Sequence, residues 1–573
     1  MRKRTILAVL TNTLADLGPF TMLCNLLGIA AIAMASIAPG ATATLVVLWI
    51  TLAFAVLVPA KVAVSVLRGD TSRTLAIGLQ ATARMLAAIA ALILAGTDLV
   101  GIVAVCALCT VAVGEEALQR PLRLARPSVA NLPGWEVRLP STAMANCAVA
   151  ANCVALVLAV VAASVGAPLA LTWVGAAPAF VFAAVLGYQV ARYQYRYALF
   201  EKNLPKLMKQ VAPVFAFHWH APVGTAYQAE MWLPYLARLE LPYFVLVRTP
   251  ANFNEVAKLT DAPVILRVGL DELDAVLCDS LKTVFYVNTA VRNSHMIRFP
   301  QLTHVQLNHG DSDKIASVSP TFRQYDKDFV AGQAAIDRFA HHGVAMRDDQ
   351  FVIVGRPQLE YVEPAKTPIG DITNPTVLYA PTWSGFYESS DYSSLPAGRA
   401  IVAGLLARGA TVIFRPHPYA RRKKANADGC DAVIALLAQD AAATGRAHLW
   451  GPPAETELSV FECFNRSDAM ISDVSSVVSD YLFSAKPFAM TAVADPVETF
   501  ADGFPVARAA YVIGVVDGEP VELDAALDAL LGADPIADVR RSLKAYYLSD
   551  APAEHYAQRF INEARKVCGE PPL

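Results

Sequence analysis

The chain has 573 residues, of which 55% are hydrophobic, and a formal net charge of −3. This length exceeds that of a usual single domain and predicts two or three units. A nearly neutral charge without a long basic run excludes a protein that tracks nucleic-acid phosphates, so we predict no nucleic-acid partner. Apolar residues are concentrated in the first part of the chain, which is rich in Ala, Val and Leu. The composition therefore predicts a membrane part followed by a globular part.

The membrane part contains six stretches that approach the roughly 20 apolar residues a helix needs to cross a bilayer. They lie near 17–38, 44–67, 75–95, 98–114, 143–165 and 168–188. Arg84 lies inside the third stretch, where a charged side chain is costly unless it is paired or reaches the interface. Two interpretations follow. Either Arg84 has a partner, for which Asp16 is a candidate, or the helix boundary is misplaced and Arg84 lies near the membrane surface.

Lys and Arg residues occupy alternate loops of this part. The basic loops contain Arg2, Lys3 and Arg4; Lys61, Arg68 and Arg73; Arg120, Arg123, Arg126 and Arg138; and Arg192, Arg196 and Lys202. Loops rich in these residues stay on the cytoplasmic side, so an even number of spans must separate them. We therefore predict a membrane domain over 1–200 with about six transmembrane helices and both ends cytoplasmic. The protein is then a multi-pass cell-membrane protein whose globular domains are cytoplasmic.

From about residue 211 short apolar runs alternate with helical segments, which indicates parallel sheets covered by helices. The first series of strands runs from VAPVFAFHW at 211–219, followed by a helix at 225–239, to FVIVG, which ends at Gly355. A polar break, DITNP at 371–375, precedes a second series. Its predicted strands are TVLYAPTW (376–383), TVIFRPHP (411–418), AHLWGP (447–452), DAMISDV (468–474) and PFAMTAV (487–493). We predict two doubly wound domains over 211–370 and 371–573, with helices near 534–567 packing back on the first.

Ligands of doubly wound sheets bind beyond the carboxyl ends of the strands. The polar residues that follow predicted strands are His309, Gly310 and Lys314 in the first domain, and Arg415, His417, Asp473, Ser475 and Ser476 in the second. The two serines open an apolar helix, which is typical either of a phosphate site or of an ordinary helix cap. The chain has neither a Walker A loop nor a G-x-G-x-x-G turn, so P-loop hydrolysis and NAD chemistry are not expected.

Two strand-end histidines, each near a cation, indicate chemistry on a diphosphate. A cleft between the domains can hold a diphosphate leaving group with Arg415 and helix N–H groups. A histidine with a pKa near 7 can take the proton of an attacking hydroxyl. The residues leave open whether His309 or His417 is that base.

Five short motifs in order resemble the CDP-glycerol glycerophosphotransferases, the family of teichoic-acid polymerases and primases. They are His309-Gly310 with Lys314, Gly355 with Pro357, Tyr379 to Trp383, Arg415 to Pro418, and Asp473-Ser475-Ser476 with Asp480. The resemblance is clearest over about 300–490 and does not cover the membrane part. It implies a GT-B-like fold and transfer of glycerol phosphate from CDP-glycerol to a hydroxyl, with release of CMP.

The resemblance also implies roles for individual residues. His309 is expected to be the base or a ligand of the transferred phosphate. His417 and Arg415 steady phosphate charge, and Lys314 assists at the same centre. Ser475 and Ser476 bind the phosphates of the nucleotide. Gly310, Asp473, Asp480 and Thr382 complete the expected substrate-binding set. The implied partners are a CDP-glycerol or CDP-polyol donor, a lipid-linked polymer acceptor and the membrane; the oligomeric state is left open.

The chain departs from the family pattern at Gln358, Glu360 and Ser384, where many members carry charged groups. The donor polyol therefore stays open, as does a sugar transferase of the same fold class that uses a nucleotide sugar. An inactive membrane scaffold or export component is the third alternative. The spelling D-S-D at 311–313 is typical of metal ligands but equally of a polar loop lining. We therefore predict no metal site, and leave a dependence on Mg²⁺ open.

Overall fold

The computed structural model of the chain describes residues 18–67, 76–96, 98–385, 391–493, 495–550 and 552–573. The chain divides into two compact units. One comprises the residues up to Val129 together with Gly134–Asn203, and the other comprises Ala130–Pro133 together with Leu204–Leu573.

The first unit is helical. Its helices are α1 (Gly18–Ile37), α2 (Thr42–Leu67), α3 (Ala81–Ala95), α4 (Leu99–Leu124), α5 (Thr142–Val165) and α6 (Trp173–Val211), the last of which continues into the second unit. The helices pack through small side chains, which allow their backbones to approach closely. A Cβ at Gly175 would lie 2.4 Å from the backbone nitrogen of Ala155, so α5 and α6 require a glycine at this position.

Five helices of the described part of the chain are long and apolar enough to cross a membrane: α1, α2, α4, α5 and α6. The third predicted stretch contains a shorter apolar helix, α3, so the sixth span stays a prediction. Residues 77–80 form a turn, and α3 has only 15 residues. At 1.5 Å per residue such a helix measures about 22 Å, less than the hydrocarbon thickness of a bilayer.

Arg84 on α3 is fully buried and does not reach an interface. It forms an ion pair with Glu115 of α4, and its Nη1 donates to Asn152 Oδ1 of α5 at 2.7 Å. Glu115 also accepts the backbone N–H of Gly78, at 3.3 Å, in the turn before α3. Pairing is therefore the correct interpretation, with Glu115 as the partner; Asp16 lies outside the described residues.

The second unit contains two sheets. The first has eight strands in the order β1-β4-β3-β2-β5-β6-β7-β8, and the ladders from β4 to β8 are parallel. Its strands are β1 (Val129–Ala130), β2 (Phe215–Trp219), β3 (Tyr243–Val247), β4 (Val264–Leu266), β5 (Thr283–Tyr286), β6 (Thr303–Gln306), β7 (Lys327–Val330) and β8 (Phe351–Ile353). The strand order reverses between β2 and β5, which defines the switch point of a doubly wound sheet.

The second sheet has six strands in the order β10-β9-β11-β12-β13-β14, and only the last pair is antiparallel. Its strands are β9 (Thr376–Ala380), β10 (Thr411–Phe414), β11 (Ala469–Ser472), β12 (Phe488–Ala492), β13 (Tyr511–Val516) and β14 (Glu519–Val521). Its switch point lies between β9 and β11. The strands β13 and β14 lie beyond the last strand predicted from the sequence.

Helices cover both sheets. They are α7 (Tyr227–Glu230), α8 (Leu233–Ala237), α9 (Phe253–Val256), α10 (Ser294–Ile297), α11 (Gln333–His341), α12 (Gly398–Ala407), α13 (Lys424–Thr444), α14 (Val460–Arg466), α15 (Ser476–Leu482), α16 (Val497–Gly503), α17 (Leu523–Leu530), α18 (Ala537–Leu548) and α19 (Ala553–Val567). The single helix expected over 225–239 is divided into α7 and α8, because Pro234 begins a new helix.

The strand expected at 447–452 is absent from the structure. Leu449 makes one isolated bridge to Ile413 of β10. His448 Nδ1 accepts the N–H of Val412 at 2.9 Å, so a ring nitrogen replaces the next backbone acceptor of the ladder. Gly451 and Pro452 then turn the chain away.

The C-terminal helix α19 packs in the core of the first sheet, although the second sheet precedes it in the chain. Phe560 is fully buried and lies against Trp232, Tyr235 and Phe329. The backbone oxygen of Val567 accepts a hydrogen bond from Thr283 Oγ1 of β5 at 2.8 Å. We call the first sheet with the helices that cover it the first lobe, and the second sheet with its helices the second lobe. The helix α19 therefore belongs to the first lobe, although it follows the second lobe in the chain.

Candidate active site

The loop after β6 presents His309. Asn308 has a φ of 58°, a left-handed conformation that Asn tolerates better than most residues. Its carbonyl oxygen accepts a hydrogen bond from Trp232 Nε1 at 2.6 Å, and its side chain donates to Asp328 Oδ1 at 3.0 Å. His309 Nδ1 lies 2.8 Å from the carbonyl oxygen of Val287, at the end of β5. The ring is therefore oriented by the edge of the sheet next to the switch point.

Gly310 brings this loop against the second sheet. A Cβ at Gly310 would lie 2.7 Å from both the Cβ and the Oγ of Ser476, at the start of α15. Any larger residue would clash with Ser476 and push the two lobes apart here. The H-G motif therefore requires a glycine at position 310 for steric reasons. Ser475 is the N-cap residue of α15, but its side chain makes no capping hydrogen bond.

Lys314 reaches the switch point of the second sheet. Its Nζ lies 3.5 Å from Thr382 Oγ1 and 5.4 Å from the ring centre of Tyr392. The backbone N–H of Thr382 donates to Asp473 Oδ2 at 2.6 Å, and Asp473 Oδ1 accepts from Thr491 Oγ1 at 2.6 Å. Asp473 is fully buried and ties the ends of β9, β11 and β12 together.

His417 follows β10 on the same side of the site. Its Nδ1 accepts the backbone N–H of Tyr419 at 3.0 Å, and its ring stacks on that of Trp383. Arg415, two residues earlier, donates through Nη1 to the carbonyl oxygens of Ala454 and Leu458, the latter at 2.7 Å. In this structure that part of its guanidinium holds the 454–458 segment.

Burial and neighbouring charge shift the pKa values of the central groups. Burial, together with the charges of Lys314 and His309, lowers the pKa of His417 to about 4, so the three groups share one electrostatic environment. Burial, together with Arg356, lowers the pKa of His309. Burial lowers the pKa of Lys314 to about 8 against the opposing effect of Asp473. Burial raises the pKa of Asp473 to about 6.

Asp480 forms an ion pair that the motifs did not reveal. Both of its oxygens accept from Arg356, at 2.9 Å each, and both side chains are almost completely buried. Arg356 follows β8 of the first sheet, whereas Asp480 belongs to α15 of the second. The adjoining departures from the family pattern point away from the site: Gln358 donates to the carbonyl oxygen of Met231, and Glu360 accepts from Tyr235 and Arg238.

The D-S-D sequence is a polar loop lining in this structure. Arg338 pairs with Asp311 at 2.5 Å and with Asp313 at 3.2 Å. Asp313 also accepts from the hydroxyl of Tyr547 at 2.8 Å. No group of three or more potential metal ligands is found among the described residues.

A second polar group lies at the switch point of the first sheet, and no short motif marks it. Arg248, after β3, is fully buried and donates to the carbonyl oxygens of Arg267, Val268 and Gly269. Its guanidinium also contacts His218 and His295, and its own carbonyl oxygen accepts from Arg292. His220, after β2, is hydrogen-bonded to Thr249, and burial lowers its pKa to about 4. Only the tertiary structure gathers these residues, which come from β2 and the ends of β3 and β4, and from the segment that contains α10.

Two doubly wound sheets with facing switch points define a GT-B-like pair of Rossmann-type domains, as predicted. Residues 358–496 match the family described as CDP-glycerol:poly(glycerophosphate) glycerophosphotransferase. The resemblance inferred from the motifs is thereby confirmed over this segment, which is similar to a family of glycerophosphotransferase enzymes. The matched segment contains Thr382, Arg415, His417, Asp473 and Asp480, whereas His309 precedes it.

Solved structures with similarity to the chain include the wall teichoic acid polymerase TagF, at 14% identity, with 67% of this chain and 96% of that chain covered and a TM-score of 0.39. They also include the UDP co-structure of S. aureus MnaA, at 14% identity, with coverages of 62% and 98% and a TM-score of 0.42. A putative UDP-N-acetylglucosamine 2-epimerase from Listeria monocytogenes has 12% identity, coverages of 62% and 96% and a TM-score of 0.41. A comparison with curated protein sequences finds no match.

Proposed function

We propose that the protein transfers glycerol phosphate, or a related polyol phosphate, from CDP-glycerol to a hydroxyl of a membrane-linked acceptor and releases CMP. The product is a teichoic-acid-like polymer of the cell surface. One observation carries this proposal. His309, after a strand of the first sheet, lies close enough to His417, after a strand of the second, for its charge to affect the pKa of His417, and the two Nδ1 atoms have opposite kinds of hydrogen-bond partner.

These partners assign the tautomers of the two rings. A carbonyl oxygen can only accept, so Nδ1 of His309 carries the proton and its Nε2 has a free electron pair. A backbone N–H can only donate, so Nδ1 of His417 is unprotonated and its Nε2 carries the hydrogen. The lowered pKa values keep both rings neutral near pH 7. His309 is thus suited to be the general base, and His417 to donate to a phosphate oxygen.

In the proposed reaction, the acceptor hydroxyl oxygen attacks the phosphorus that bears glycerol. The hydroxyl proton moves to His309 Nε2, a new P–O bond forms, and the P–O bond to the CMP phosphate breaks with its electron pair leaving on CMP. His417 and the Lys314 ammonium stabilise the charge that develops on the phosphate oxygens. Ser475 and Ser476 contribute hydroxyls beside the nucleotide phosphates.

Four further residues, which lie in the motifs or next to them, hold the groups of the proposed active site in place. Asp473 holds the Thr382 loop, and Asp480 holds Arg356 across the lobes. Arg415, two residues before His417, fixes the 454–458 segment. We propose that these residues act through their neighbours, whereas Thr382 and Gly310 line the cleft itself.

The membrane unit supports an acceptor that is carried on a lipid. Five apolar helices are long enough to anchor the chain in a membrane. The basic segment between α4 and α5 is separated from the second unit by two of these helices, so the positive-inside rule favours a cytoplasmic position of the catalytic domains. We propose that the first lobe, with the polar group around Arg248, faces the acceptor and that the second lobe binds the nucleotide.

Membrane fractions containing the full chain, supplied with labelled CDP-glycerol or CDP-ribitol, test the proposed reaction. Wild type should release CMP and label a lipid-extractable product. Since a positioned base contributes about 10²- to 10⁴-fold, His309→Ala should lower kcat by that factor. His555→Ala, which removes an exposed histidine of α19, is the matched control and should retain full activity.

His417→Ala should lower kcat/KM while leaving the acid limb of the pH profile in place, because it removes a donor rather than the base. Release of product only from a nucleotide sugar would reject the polyol-phosphate reaction and favour a sugar transferase. Equal activity of wild type and His309→Ala would reject the assigned base.

A further inference from the structure

The first unit contains a cavity at one end of α4 and α6. Its volume is about 570 Å³, within the range of small-molecule sites. The lining comes from Arg120, Pro121 and Leu124 on α4, Arg126 just beyond α4, and Tyr193 and Tyr197 on α6. No carboxylate belongs to the described lining. The cavity is therefore cationic on one wall and apolar on another.

The arginine that follows α4 is fixed by the two tyrosines. The hydroxyl of Tyr193 accepts from the backbone N–H of Arg126 and donates to its carbonyl oxygen, at 3.1 Å each. Tyr197 accepts from Arg126 Nη2 at 3.3 Å. Because these bonds hold the backbone and the guanidinium together, the cation is oriented before any ligand arrives, which lowers the entropic cost of binding.

The surrounding sequence has a large excess of positive charge. Segments 118–140 and 189–203 contain seven Lys and Arg residues against Glu136 and Glu201. Glu136 is paired with Arg138 at 2.7 Å, and Glu201 lies one turn beyond Tyr197, outside the lining. The exposed side chain of Leu124 adds an apolar surface beside these charges.

We propose that this cavity binds the phosphate head group of an anionic membrane lipid. Arginine matches phosphate oxygens with two parallel N–H groups, and tyrosine is favoured where helices leave a bilayer. Basic pockets between membrane helices bind lipid head groups by this chemistry. The apolar wall formed by Pro121 and Leu124 suits the glycerol and acyl part, which a free anion lacks. The inference goes beyond the proposed transfer reaction and does not depend on it.

Native mass spectrometry of the delipidated full chain in detergent tests the site without any nucleotide. Dioleoyl phosphatidylglycerol and dioleoyl phosphatidylcholine are the two probes. Wild type should retain one phosphatidylglycerol in preference to phosphatidylcholine. Each lost cation should weaken phosphatidylglycerol binding about fivefold, so Arg120→Gln and Arg126→Gln should each show this loss. Tyr197→Phe should also weaken binding, because it releases the Arg126 guanidinium without changing the charge.

Arg138→Gln is the matched control, because it removes the same charge from an exposed side chain outside the cavity. It should bind phosphatidylglycerol as wild type does, and all variants should keep the wild-type elution volume and melting temperature. Equal retention of the two lipids would overturn the proposal, as would a loss in Arg138→Gln equal to that in Arg120→Gln. Displacement of the lipid by equimolar soluble glycerol 1-phosphate would overturn it in favour of a site for free anions.

Discussion

His309 and Lys314 have pKa values shifted in the same direction by burial, with opposite consequences for activity. The pKa of His309 lies below its ordinary value, so the neutral base persists as the pH falls through 6.5. The pKa of Lys314 is lowered to about 8, so its ammonium loses its proton above that pH. The two groups therefore define a window in which the base is neutral and the cation is charged.

We expect a bell-shaped profile of kcat/KM for CDP-glycerol, with an acid limb below pH 6.5 and an alkaline limb near pH 8. Lys314→Arg should move the alkaline limb upward, because guanidinium stays charged throughout this range. Initial rates of CMP release between pH 5 and pH 10 measure both limbs. An alkaline limb that is unchanged in Lys314→Arg would contradict the role of Lys314.

Two elements from different lobes are joined by the Arg356–Asp480 ion pair. Removing one partner of a buried pair leaves an uncompensated charge, so Asp480→Ala should lower the free energy of unfolding by about 3–5 kcal/mol. Replacing both partners with apolar residues, Arg356→Met with Asp480→Leu, should recover a substantial part of that loss. Urea unfolding of the full chain in detergent measures both values.

Asp524→Ala is the control for this pair, because it breaks the exposed contact with Arg408 at 2.9 Å and should cost less than about 1 kcal/mol. A similar loss for Asp524→Ala and Asp480→Ala would show that the buried pair is not a special connection between the lobes.

The helices α3 and α4 are joined by a fully buried ion pair, Arg84–Glu115. Glu115→Ala leaves a charged Arg84 among apolar side chains and deprives the Gly78 N–H of its acceptor. We expect a fall in stability of about 3–5 kcal/mol, measured as a lower melting temperature by size-exclusion chromatography of heated samples. Glu136→Ala breaks an exposed pair and should melt as wild type does. Equal melting of both variants would contradict the structural role of Glu115.

At the scale of the whole molecule, the C-terminal helix completes a lobe that begins more than 300 residues earlier. Phe560→Ala should cost about 3–5 kcal/mol of unfolding free energy, because a large buried ring is lost from the core of the first sheet. Urea unfolding and protease resistance of the β2–β8 lobe measure the effect. Val516→Ala, at an exposed position of β13, should unfold as wild type does. An unchanged stability of Phe560→Ala would show that α19 is dispensable for the first lobe.

Local sequence patterns were sufficient to predict the division into apolar and globular parts, the two series of strands, and the residues that follow those strands at the site. These features are local: a run of apolar residues fixes burial, and alternation of strand and helix fixes the doubly wound pattern. The motifs containing His309, His417 and Asp473 follow strands directly, so their position at the edge of a sheet was predictable from neighbouring residues.

The partners of the charged and polar residues are evident only from the folded chain. Arg84 pairs with Glu115, Asp480 pairs with Arg356, and Arg248 contacts residues of several elements. Local patterns could not predict these contacts, because each joins residues far apart in the chain. The Gly78 N–H, in the turn before α3, donates to Glu115 of α4. The Val412 N–H of β10 donates to His448, next to the single bridge at Leu449. Both acceptors are side chains of other segments, which local patterns do not predict. The hydrogen-bond partners of the two histidines, which suit one to be the base and the other a donor, arise in the same way. Sequence patterns report burial and local conformation, whereas the identity of a contact is set by packing in three dimensions.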